Sequence, residues 1–201
     1  MKQPIYRVAV LAVLLAFIAP ACQTLREVAN LRFVDFDIAG VRQARLAGIE
    51  VDRLRSYRDL SATDLLRLGA AVADERLPLS FQLNLAAHNP AENGVQARLV
   101  QMDWTLFLED RETISGVFNR EIVLPPGEEV GIPIDIQLDL LRFFDESAQD
   151  LVELALAVTG QGGAPKNVRL QAVPTIRTAL GSIRYPQPIT IVSRDLGTSG
   201  R

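Results

Sequence analysis

Val130-Gly131-Ile132-Pro133-Ile134-Asp135-Ile136-Gln137-Leu138 decides the fold. Val130, Ile132, Ile134, Ile136 and Leu138 are apolar, and Gly131, Pro133, Asp135 and Gln137 stand between them. Successive side chains of a strand point to opposite faces, so this stretch has one dry and one wet face. That pattern predicts an antiparallel strand packed on a core. Pro133 falls on the wet face and cannot donate to a ladder, which predicts a sheet edge.

The same alternation extends in both directions. Leu79, Phe81, Leu83 and Leu85 oppose Ser80, Gln82, Asn84 and Ala86. Val100, Met102, Trp104, Leu106 and Leu108 oppose Gln101, Asp103, Thr105 and Glu109. After the polar turn Glu109-Asp110-Arg111-Glu112 come Ile114, Phe118, Ile122 and Leu124. Val34, Phe36 and Ile38 predict an early strand, and Ala47, Ile49 and Val51 a second. Val168, Leu170 and Ala172 predict a late one, with Ile189 and Ile191 closing the domain. Asn89-Pro90, Asn93-Gly94 and Pro125-Pro126-Gly127 punctuate the strands as turns. Evenly spaced strands joined by turns predict a mainly β, antiparallel immunoglobulin- or fibronectin-like β-sandwich.

One or two accessory helices interrupt it. Ser61 and Asp64 form a capping-box pattern ahead of Leu65, Leu68 and Val72 at helical spacing. A second helix is expected from about Asp139 to Ala157, burying Leu141, Phe144, Leu151, Leu154 and Val158. Gln161 to Pro165 reads as a flexible breaker after it.

The amino terminus carries an address. Lys2 and Arg7 precede an unbroken apolar run, Val8 to Ala19, which ends in Ala19-Pro20-Ala21-Cys22. The run is shorter than the roughly 20 residues a membrane span needs, and it matches a signal-peptide core. Cys22 is the chain's only cysteine. The arrangement resembles a bacterial lipoprotein signal, with Cys22 as the lipidated first residue of the mature chain. Ala19 stands where that pattern usually has Leu. The other reading is a secreted protein cleaved after Ala21 with a free thiol. In lipoprotein sorting, Asp after the cysteine resembles an inner-membrane retention signal. Gln23 therefore favours the outer membrane, with the domain facing the periplasm. The expected organisation is a signal peptide over 1–21, a lipidated tether over 22–30, one domain over 31–196 and a frayed end over 197–201.

A single cysteine excludes disulfides, so stability must come from the core. At 48% apolar residues the chain is not of the disordered class. Loss of Lys2 and Arg7 would carry the formal charge from -3 to -5. That balance gives no electrostatic reason to bind nucleic acid, and no polybasic patch for anionic lipid. The expected partners are the membrane, through the lipid, and a lipid or envelope protein.

The stretch from Leu79 to Leu138 resembles the type 2 late-embryogenesis-abundant family, also called the water stress and hypersensitive response (WHy) domain. The carrying residues are Leu79 to Leu85 running into His88-Asn89-Pro90, Gly94-Val95, and the strand through Asp103-Trp104. The Pro125-Pro126-Gly127 turn, the strand Val130 to Leu138 and a tail from Leu180-Gly181 to Tyr185-Pro186 complete it. The resemblance implies a sandwich with no known catalytic site, associated with desiccation and other stress tolerance and in some members with lipid handling. The insert near Ser61 departs from the minimal family pattern. Asn89 and Pro90 have a physical reading of their own. Pro90 stops the ladder and holds Asn89 extended, and the Asn89 side chain then bonds turn backbone.

No catalytic, metal-binding or cofactor site is expected. His88 is the sole histidine, so neither a Cys-His dyad with a second imidazole nor a His-rich metal site can be assembled. Asp35 with Asp37, and Glu128 with Glu129, read as solvated charge rather than acid-base pairs. Gly160, Gly162 and Gly163 lack the lysine and the strand-to-helix setting of a phosphate loop. Trp104, Phe107 and Phe118 read as core. The function expected is a non-catalytic envelope lipoprotein that binds or protects envelope components, or alternatively a carrier or sensor of lipid or other hydrophobic ligands.

Overall fold

The computed structural model describes residues 34–93, 96–160, 168–178 and 181–192. Cys22, Gln23, the tether, Gly94-Val95, the breaker at 161–165, Leu180 and the frayed carboxyl end lie outside them.

Two antiparallel sheets face each other. The first contains β1 (Asp35–Leu46), β2 (Ile49–Glu50), β3 (Pro78–Asn89) and β7 (Glu128–Asp139), in the order β2-β1-β3-β7. The second has the order β10-β8-β4-β5, from β4 (Ala97–Leu108), β5 (Arg111–Phe118), β8 (Val168–Thr178) and β10 (Ile189–Val192). β6 (Ile122–Leu124) extends the β5 edge of β4, and β9 (Gly181–Arg184) pairs with β8. The fold is a β-sandwich, as the alternation predicts.

The register places the expected apolar faces of β3 and β7 inward, whereas in β4 a bulge between Leu99 and Gln101 leaves Val100 half-buried and puts Ala97 and Leu99 in the core. Leu83 faces Ile134 across β3 and β7, and Leu85 faces Ile132. All four are buried, against Met102, Leu106 and Leu170 of the opposite sheet in one continuous core. Pro133 lies opposite Asn84 on β7, which pairs only with β3 and forms the sheet edge. The long β1 was legible only at its start. Its register slips between Ile38 and Gly40 and again between Arg42 and Arg45, where Gln43 takes a left-handed φ of 55°. Each bulge moves the apolar residues off strict alternation.

Several boundaries differ from expectation. Ala47-Gly48 is a tight turn with φ of 49° and 79°, so Ala47 is not in a strand, and Val51 begins a 3-10 turn, Val51–Arg53. The expected helix from Asp139 is two pieces, a 3-10 turn over Leu140–Arg142 and α2 (Ala148–Val158). Asp139 belongs to β7, and its Oδ1 accepts from Leu77 N at 2.8 Å and Leu141 N at 3.3 Å. That clamp turns the chain before a helix can start. Ser147 then caps α2, accepting from Asp150 N at 3.2 Å.

α2 buries seven of its eleven residues, including Leu151, Leu154 and Val158 as expected, while Leu141 before it is only half-buried. A helix apolar all round is an interior helix. It packs on β1 and on the 3-10 turns Val51–Arg53 and Tyr57–Asp59, closing one end of the sandwich.

α1 (Ala62–Ala73) carries the expected capping box: Asp64 N donates to Ser61 Oγ at 3.2 Å and Ser61 N to Asp64 Oδ2 at 3.2 Å. Of the three apolar residues at helical spacing only one is buried. Asp64 and Leu68 are buried, whereas Leu65 and Val72 are exposed. No helix among the described residues is long and apolar enough to cross a membrane.

Candidate functional site

The turn residues singled out in the sequence, Asn89 and Pro90, build a polar knot at the end of the sandwich opposite α2. Asn89 ends β3 with its side chain turned into the core and wholly buried. Its Nδ2 donates to Leu124 O at 2.8 Å, and its Oδ1 accepts from Asn93 Nδ2 at 2.6 Å. Asn93, itself buried, follows Pro90 by one 3-10 turn, Ala91–Asn93, and donates its backbone N–H to Pro90 O at 3.1 Å. Gly127 N donates to Asn89 O at 2.6 Å. Gly127 has a φ of 78°, and an added Cβ would also touch Ala91.

The knot therefore joins β3, β6 and the turn before β7 through one residue, the Asn89 side chain holding β6 and its backbone carbonyl the turn. Its polar atoms face each other, so the geometry holds chain segments together. Asn93 was missed in the sequence reading; its spacing from Asn89, one turn after a proline, was the available signal.

A polar groove of about 930 Å³ lies on the outer face of the first sheet. Ser80, Gln82, Asp135 and Gln137 form its floor, and the β1 bulge and following 3-10 turn bring Gln43, Arg45 and Asp52 to its side. Gln82 Nε2 donates to Asp135 Oδ1 at 3.0 Å. Arg45 and Glu50 are 3.7 Å apart with both side chains exposed, so water screens the pair. The second sheet's outer face carries a smaller hollow of about 400 Å³ between Thr105, Val117, Gln171 and Val173. Asp103 at its rim accepts from Gln101 and pairs with Arg184, and these hold its carboxyl below the usual range.

The remaining candidates are dispersed. His88 is exposed between Asp35 and Glu129 in adjacent strands. Among the described residues no group of three or more His, Cys, Asp or Glu is placed to hold a metal. Glu128 and Glu129 are exposed, and Asp35 is exposed beside half-buried Asp37. Tyr185 lies near Asp35, and its phenol is pushed up by burial first and by the Asp35 charge second. Trp104 and Phe118 are core, as expected, but Phe107 points outward under the Arg169 guanidinium, 4.3 Å from the ring centre.

The outer side of α1 is apolar as well. Leu65, Leu66, Gly69, Ala70, Val72 and Ala73 of α1 are all exposed, Leu66 at 75%. At 100° per residue they cover an uninterrupted apolar arc of roughly 160°.

No family model matches the chain, and no curated protein does. Solved structures show remote likeness. A protein provisionally described as late embryogenesis abundant (LEA) is 12% identical, with 94% of this chain and 83% of that one covered and a TM-score of 0.40. A protein from Archaeoglobus fulgidus is 11% identical over 59% of this chain and 87% of its own, with a TM-score of 0.31. A Bordetella pertussis protein provisionally described as ApaA is 11% identical over 80% and 95%, with a TM-score of 0.33. At such scores none of these likenesses bears on what the chain does. The fold rests on the strand pairing above.

Proposed function

We propose that the chain is a non-catalytic envelope lipoprotein. A lipid at Cys22 holds it to the outer membrane, and a WHy/LEA type 2-like sandwich facing the periplasm binds or protects envelope components under water or other stress. One observation carries this reading. The chain's only thiol ends an apolar run a dozen residues ahead of a sandwich whose turn motif, Asn89-Pro90, is spent on holding turns together. The alternative, a carrier of lipid between the sheets, has less support, because α2 fills one end of the sandwich with buried Leu151, Leu154 and Val158.

Two measurements test the reading. Growth with a radiolabelled fatty acid should label the wild type, and Cys22→Ala should lose the label and move to the soluble fraction. An unlabelled wild type, with the variant still membrane-bound, would refute the anchor. Protection of a test enzyme through drying should exceed that given by an unrelated sandwich of equal mass; equal protection would refute the protective role.

A further inference from the structure

We infer that the apolar face of α1 is a second membrane contact, resting on the same bilayer surface as the lipid. The inference builds on the anchor reading above and adds a site and an orientation to it. An apolar arc of this width on a twelve-residue helix is not needed for folding, since the opposite face, Asp64 and Leu68, already docks the helix. Contiguous exposed apolar surface of this kind marks a contact with something apolar.

The chain's layout says what that is. Val34, where the described domain begins, leads into β1. Among the described residues β1 pairs on its outer side only with the two residues of β2, opposite Arg45 and Leu46, while β10 and α2 pack against it. α1 follows β2 through two 3-10 turns and is tied back to that edge, with Asp64 3.6 Å from Arg53. The attachment point thus leads into one end of this edge, and the start of the apolar helix is tied to the other end. A twelve-residue strand spans at most about 40 Å, and the dozen residues from Cys22 to Val34 reach no further than about 40 Å. A domain lying along the membrane on its β1 edge brings both to the bilayer without stretching the tether.

The contact is apolar in character. Arg53, Arg55, Arg58, Arg67 and Arg76 on and around α1 are balanced by Asp52, Asp59, Asp64, Asp74 and Glu75. Without a net basic surface, Leu65, Leu66 and Val72 enter the boundary between headgroups and acyl chains, and salt and anionic lipid matter little. The β1 edge thereby faces the membrane and leaves the β7 edge toward the periplasm.

The test uses the full chain, purified from membranes and reconstituted into phosphatidylcholine vesicles with or without phosphatidylglycerol. A polarity-sensitive fluorophore is placed through Leu66→Cys and, as reference, through Val117→Cys on the second sheet, where Val117 is 59% exposed. The probe at 66 should emit further to the blue than the probe at 117 and be quenched by iodide several-fold less, equally in both lipids and at high salt. Equal quenching at the two positions overturns the proposal. Shielding at 66 that grows with protein density, with the dye-free Leu66→Cys protein linking into a disulfide dimer under copper-phenanthroline oxidation, assigns the face to a second copy and also overturns it. Fatty-acid labelling scores the anchor separately. A labelled wild type with an unshielded probe keeps the anchor and removes the helix contact. An unlabelled wild type whose probe is shielded on added vesicles does the reverse. Leu65→Gln with Leu66→Gln, both at exposed positions, should keep the urea midpoint and lose vesicle contact at a neighbouring probe introduced by Ala70→Cys.

Discussion

Asn93 donates its side-chain amide to Asn89 Oδ1 at 2.6 Å, and both side chains are buried. The pair converts a proline turn into a cross-link, because the other end of the Asn89 amide holds Leu124 O. Removing it takes a hydrogen bond from the Leu124 carbonyl and another from the buried Asn93 amide, each loss costing about 1–3 kcal/mol. Asn89→Ala should therefore lower stability by about 2–4 kcal/mol in urea unfolding. The neighbouring exposed His88→Ala should stay within about 0.5 kcal/mol of wild type. Equal midpoints for the two variants would show the knot to be ornamental.

Gly116 is paired with Trp104 across β5 and β4, and the indole lies where a side chain would be. A Cβ at Gly116 would come within 2.3 Å of Trp104 Cζ2. Gly116→Ala must push the ring or the strand aside, at about 1–3 kcal/mol. Gly131→Ala meets nothing within 4 Å and should be neutral or slightly stabilising. Trp104 is the only tryptophan, so its emission reports the displacement directly. Addition of Trp104→Phe should recover part of the loss in a double-mutant cycle. Full additivity would mean that the two residues do not press on each other.

What was legible in the sequence follows from where one rule acted alone. β3 and β7 pair in register from Pro78 with Asp139 to Asn89 with Glu128, so period two reads straight through to the core. β1 carries two bulges, and its apolar residues leave the alternation at each. In α1 the cap and the helix were legible from Ser61 and Asp64, but helical spacing alone does not say which side of a helix is buried. Here the capping carboxylate Asp64 turned inward with Leu68 and left the leucine-rich side in solvent. The knot was half legible: proline predicted the stop and asparagine the turn bond, but the partner at Asn93 depends on chain folding after Pro90.

The acid limb of stability should depend on Asp64. The Ser61 hydroxyl first, then the Ser61 backbone N–H and the charges of Arg53 and Arg67, hold its carboxyl below the ordinary value. A carboxylate depressed in the folded state contributes stability above its unfolded value. That contribution fades as pH falls through the unfolded value, near 4, and is gone below the folded one. Asp64→Asn should thus lower the urea midpoint at pH 7, and the difference from wild type should shrink toward pH 2.5. A difference that stays constant between these pH values would show that the Asp64 charge is not what Ser61 and Arg53 stabilise.

The two helices make opposite demands on leucine. Leu151 of α2 is fully buried in the continuous core, so Leu151→Ala leaves a cavity the surroundings only partly fill, costing about 2–5 kcal/mol. Against a domain stability of about 5–15 kcal/mol, that is a large share. Leu66→Ala removes a side chain already mostly in water, and alanine is the better helix former, so the midpoint should move by less than about 0.5 kcal/mol. The same variant should weaken shielding of α1 on vesicles, because the apolar area it offers the bilayer is smaller. Urea unfolding with Trp104 emission and vesicle quenching on both variants separate the roles. A Leu66→Ala protein as destabilised as Leu151→Ala would place α1's outer face in the core after all and remove the reason for it to meet a membrane.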